Sequence, residues 1–113
     1  MDFYTRVMGM TVLRRGEMPE ERRRNASVGY GAEDETAVLE LTAYQSRETY
    51  NAGDAFGHLA VGFADVVAVC AAISAAGGAV SRQPFVIASG RIIAFVTDPD
   101  GYAIELIQPA PAQ

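Results

Sequence analysis

A chain of 113 residues, half of them hydrophobic and one fifth charged, suits one compact domain or two small packed modules and excludes general disorder. A net charge of −5 disfavours nucleic acid and anionic membrane surfaces as partners, and no apolar stretch approaches the length of a bilayer span. The single cysteine, Cys70, excludes an intramolecular disulfide, which fits a reducing cytoplasm, and the N-terminus lacks the basic start and apolar run of a signal peptide.

From the N-terminus, residues 2–8 have helical character and Gly9 stops them. Strands are predicted at residues 11–14, 26–30 and 36–42. Between the first two lies Arg22-Arg23-Arg24, next to Glu20 and Glu21. Such a run can bind phosphate, but five mixed charges in a row are more often a solvated loop. A polar seam near residues 44–56 has no steady period and reads as a linker.

The second half opens with an apolar strand at residues 57–63. Asp65 is placed to cap a helix, because its carboxylate can accept the free amides of a first turn. Val66, Val69, Cys70 and Ile73 follow at helical spacing, and Gly77-Gly78 closes the helix. Strands follow at residues 79–83 and 91–97, and Asp98-Pro99-Asp100-Gly101 turns the chain into a last strand at 102–108. The order is βαβββ. The first half reads as the same unit without its first strand, and Val38-Leu39-Glu40-Leu41 matches Ala103-Ile104-Glu105-Leu106. The fold class is therefore α+β: one domain over 1–113, with an incomplete first module at 1–43 and a second at 57–108.

His58 is the lone histidine and opens the first strand of the second half. A histidine so placed is more often structural than a ligand, since its ring can satisfy a nearby carbonyl. Glu40 and Glu105 each stand in an otherwise apolar strand. Burying an isolated carboxylate is very costly, so such groups are paired, protonated or metal-bound, unless the strand alternates and they face water. Two carboxylates and an imidazole suit a divalent metal with open positions, which can polarise vicinal oxygens while a carboxylate moves a proton.

Specific motifs run along the chain in a fixed order. They are Asp2-Phe3-Tyr4-Thr5-Arg6-Val7-Met8-Gly9-Met10, Val28-Gly29-Tyr30-Gly31, Ala37-Val38-Leu39-Glu40-Leu41-Thr42, Phe56-Gly57-His58-Leu59-Ala60-Val61-Gly62, Ala75-Ala76-Gly77-Gly78, Ile93-Ala94-Phe95-Val96, Asp98-Pro99-Asp100-Gly101-Tyr102 and Ile104-Glu105-Leu106-Ile107. In this order they resemble the short bacterial type of glyoxalase I, or lactoylglutathione lyase, in the vicinal oxygen chelate superfamily.

The resemblance implies two βαβββ modules and a homodimer whose active sites draw on modules of both subunits. It implies isomerisation of the hemithioacetal of methylglyoxal and glutathione to S-lactoylglutathione, a methylglyoxal detoxification. The family's metal ligands match Glu40, His58 and Glu105, and the metal is nickel or cobalt before zinc. Glu105 is the first choice for the proton-shuttling base and Glu40 the second. The family's fourth ligand, a histidine on the first strand, would lie upstream of Met1, so Met1 stands at an internal position of the fold. That absence is expected to weaken metal binding, lower stability and uncover Phe3, Val7 and Met8.

Other departures concern the thiol-binding side. A family asparagine is Tyr44 here, and a lysine-glycine-glycine loop is Ile87-Ala88-Ser89-Gly90, with Arg91 next to it. The competing reading is a non-catalytic drug- or antibiotic-binding protein of the same fold, which would gain nothing from two central carboxylates. A dioxygenase needs two histidines and one carboxylate on iron, which this chain cannot supply alone.

Overall fold

Each half of the chain builds a sheet around apolar strands, in a computed structural model that describes residues 2–46, 50 and 53–111. The halves form separate units, Met1–Gly53 and Asp54–Gln113.

In the first unit a π-helical turn, Phe3–Val7, precedes three strands: β1 (Thr11–Met18), β2 (Arg23–Gly29) and β3 (Leu39–Tyr44). They form an antiparallel sheet in the order β1-β2-β3. Gly9, at a φ of +77°, ends the helical turn as expected. Phe3, Val7 and Met8 were expected to lose cover; Phe3 and Met8 are instead buried along with Tyr4 and Met10, and Val7 is half-buried. The Phe3 and Tyr4 rings meet edge to face, and the Tyr30 hydroxyl donates to the Met8 carbonyl at 2.6 Å.

The charged run also differs from the solvated loop that its composition suggests. Arg23 and Arg24 lie in β2, and Arg22 takes a left-handed turn (φ 54°) after the short 3₁₀ segment Pro19–Glu21. β1 and β2 thus extend past their apolar parts as a polar ribbon, where Met18 pairs with Arg23. Backbone pairing, rather than side-chain burial, holds this extension. Part of the polar seam, residues 47–49 and 51–52, lies outside the described residues.

In the second unit β4 (Leu59–Gly62) leads to helix α1 (Val66–Ala75), then to β5 (Ala79–Val86), β6 (Ile92–Thr97) and β7 (Ala103–Gln108). The sheet order is β4-β7-β6-β5, with β4 parallel to β7 and the other pairs antiparallel. The Asp65 side chain accepts from the Ala68 amide at 3.0 Å, the predicted cap. At the other end Gly77 has a φ of +90°. Gly78 N–H donates to Ile73 O at 2.8 Å and Gly77 N–H to Ser74 O at 3.1 Å, a Schellman closure. Asp98 closes the predicted turn, its carboxylate accepting from the amides of Asp100 (3.0 Å) and Tyr102 (2.8 Å).

The register sorts this sheet into two faces. Ala94, Val96, Ile104 and Leu106 form one face and are essentially fully buried, as are Val66 and Ile73 of α1, with Cys70 nearly so. Burial pushes the Cys70 thiol pKa up. Phe95, Glu105 and Ala60 share the opposite face, because Glu105 pairs with Phe95 in β6 and with Ala60 in β4. Among the described residues no helix is long and apolar enough to cross a membrane.

Candidate active site

Glu105 sits mid-strand in β7 with Ile104 and Leu106 buried on either side, so alternation turns its carboxylate away from the helix. His58 does not open β4 as expected. It stands one residue before the strand, which starts at Leu59. The segment is steadied by Phe56, whose ring lies edge to face with Tyr102 at 5.0 Å. From there the imidazole reaches over the open face. His58 Nε2 lies 3.2 Å from Glu105 Oε1, and the ring stands edge-on to Phe95 at 5.6 Å and 86°.

The pair is reachable from solvent but uneven: the His58 side chain is 44% exposed and that of Glu105 17%. The carboxylate is therefore partly withdrawn from water and backed by an aromatic wall, while the imidazole looks outward. An imidazole nitrogen and a carboxylate oxygen in contact offer the mixed nitrogen and oxygen donors that suit a borderline divalent cation. Phe95 belongs to the Ile93-Ala94-Phe95-Val96 motif, but only the strand register reveals it as the wall behind His58.

Glu40 belongs to the first unit. It lies in β3 opposite Ser27 of β2 and is exposed, so the cost of carboxylate burial argues for Glu105 and not for Glu40. Arg14, opposite Ser27 on the other side, pairs with Glu33 at 2.7 Å, and this contact, with a smaller influence of Glu40, raises its pKa. Among the described residues no three His, Cys, Asp or Glu side chains gather as a metal-holding group. Tyr44 is exposed, and its amide donates to the Tyr50 hydroxyl at 3.0 Å. Arg91 is exposed at the end of the turn 87–90, where Ile87 N–H donates to its carbonyl at 3.0 Å.

Residues 1–106 match the family model of the Glyoxalase/Bleomycin resistance protein/Dioxygenase superfamily, and the chain belongs to that family. Within it, the chain is 50% identical to a probable lactoylglutathione lyase of Vibrio cholerae, over 96% of this chain and 79% of the relative. It superposes on glyoxalase I from Zea mays with a TM-score of 0.90 at 38% identity, covering 98% of this chain and only 40% of the maize chain. The trypanothione-dependent glyoxalase I of Leishmania major matches at a TM-score of 0.82 and 38% identity, over 95% of this chain and 74% of its own.

Proposed function

We propose that the chain is a metal-dependent glyoxalase I that isomerises the hemithioacetal of methylglyoxal and glutathione to S-lactoylglutathione. The contact of His58 Nε2 with Glu105 Oε1 carries this reading, since both residues occupy family-matched ligand positions on one open sheet face. His58, Glu105 and Glu40 would hold the cation, nickel or cobalt before zinc. A divalent ion bound there supplies Lewis-acid polarisation of the substrate's vicinal oxygens. The same reading includes a homodimer in which modules of both subunits build each active site.

Glu105 is the base. Its carboxylate takes the proton from the carbon bearing the sulfur and the hydroxyl, and returns it to the neighbouring carbonyl carbon. The hydroxyl proton moves to the other oxygen, so the reaction is a balanced isomerisation with no external oxidant or reductant. Partial burial keeps solvent from crowding the Glu105 carboxylate, whose side chain is 17% exposed. Glu40 is the second candidate for this role. Phe95 meets the His58 ring edge to face and gives it an apolar contact on one side. The Leishmania relative acts with trypanothione, so the thiol half is the part of the substrate to be tested across carriers. A thiol substrate stays reduced in the cytoplasm, the setting we assign.

Metal content of the purified protein, before and after dialysis against nickel or zinc, tests the reading. Stoichiometric metal that is lost in Glu105→Gln, with isomerase activity falling by about 10²-fold or more, is the expected result. A protein that retains no metal under any of these conditions overturns it.

A further inference from the structure

Ser27 is fully buried, and its Oγ makes no hydrogen bond. Buried hydroxyls are nearly always paired, so one held without a partner points to a partner gained in another state. The register identifies what faces it. Ser27 is the middle member of a row across the first sheet, with Arg14 on one side and Glu40 on the other. Directly opposed residues share a face, with Cβ atoms about 4.5–5.5 Å apart, so a serine hydroxyl reaches a glutamate carboxylate after a rotamer change. Arg14 is held by Glu33 at 2.7 Å. The Ser27 hydroxyl is thus the buried donor of this row, directly opposite Glu40.

We propose that Ser27 is a positioning residue for Glu40: its hydroxyl donates to one carboxylate oxygen and leaves the other free for a cation. This rests on Glu40 being a metal ligand, as read above. A free glutamate on an exposed strand samples several rotamers, and a donor at its base selects the one that holds the carboxylate over the sheet face. Partners that orient a ligating carboxylate in this way typically change metal affinity by about 10- to 100-fold.

Nickel affinity, measured by competition with a chromophoric chelator, tests this together with the unfolding midpoint of the metal-free protein. Ser27→Ala is expected to bind nickel about tenfold more weakly, and Ser27→Thr, which keeps the hydroxyl, within about threefold of the native chain. The metal-free midpoint of Ser27→Ala should equal or exceed that of the native chain, because an unmade buried hydroxyl is removed. Adding Ser27→Ala to Glu40→Gln should weaken binding no further. Native affinity in Ser27→Ala would overturn the role of Ser27 and leave the metal reading standing. So would a lowered metal-free midpoint with equal weakening in both backgrounds. A native chain that binds no nickel would overturn both.

Discussion

His58, Glu105 and Phe95 meet because a two-residue periodicity and two register pairs bring them to one face, not because they are neighbours in sequence. The types His58, Glu40 and Glu105 were legible from the sequence, since a histidine or a carboxylate among apolar residues is conspicuous. Phe95 and Ser27 were not, because an aromatic or a serine in a strand looks ordinary until its cross-strand partner is known. Edge-to-face aromatic contacts contribute about 0.5–1.5 kcal/mol, so Phe95→Leu should weaken nickel binding about two- to tenfold in a chelator competition. Tyr30 gives a prediction in pH. Burial raises its pKa above 10.0, so the unfolded chain ionises first. Its contribution is full below pH 10.0 and is lost as pH rises through the higher folded value. Tyr30→Phe should therefore lose about 1 kcal/mol at neutral pH, with its bond to Met8, yet decline less steeply above pH 10 in thermal melts.

At the scale of elements, helix ends and turns were the most legible. Asp65, Gly77 and the Asp98 turn each work through a backbone amide or a positive φ that only a few residue types can satisfy. Strand lengths were less legible. Residues 15–18 and 23–25 carry charge and show no buried stripe, so nothing in their pattern marks the ribbon that backbone pairing extends through them. The start of β4 was misplaced for a related reason: Gly57 and His58 continue an apolar-looking run but do not pair. The close of α1 supplies a sharp test. A Cβ on Gly78 would come within 2.6 Å of Ile73 Cγ2 and 3.0 Å of Ile73 O, and Ile73 is fully buried. Gly78→Ala should destabilise the chain by about 1–3 kcal/mol in denaturant unfolding, with the helix end shifted.

For the whole molecule, the repeat was visible as a pair of glutamate-bearing strands, one in each unit. A homodimer that shares its metal should bind nickel and sediment as a dimer together. Adding nickel at about 100 times its dissociation constant should stabilise the fold by about 2.7 kcal/mol, read as a raised melting temperature. Glu105→Gln should abolish that rise. One further consequence comes from the parallel pairing of β4 with β7. The β5–β6 and β6–β7 hairpins join near neighbours in sequence, but Leu59 must find Ile104 across the whole second unit. Closing that loop costs chain entropy before any contact rewards it. The histidine, one residue before β4, is therefore expected to arrive late in folding. In pulse-labelled hydrogen exchange during refolding, amides of β6 and β7 should gain protection before those of Leu59–Gly62, and the approach of His58 to Glu105 should come last.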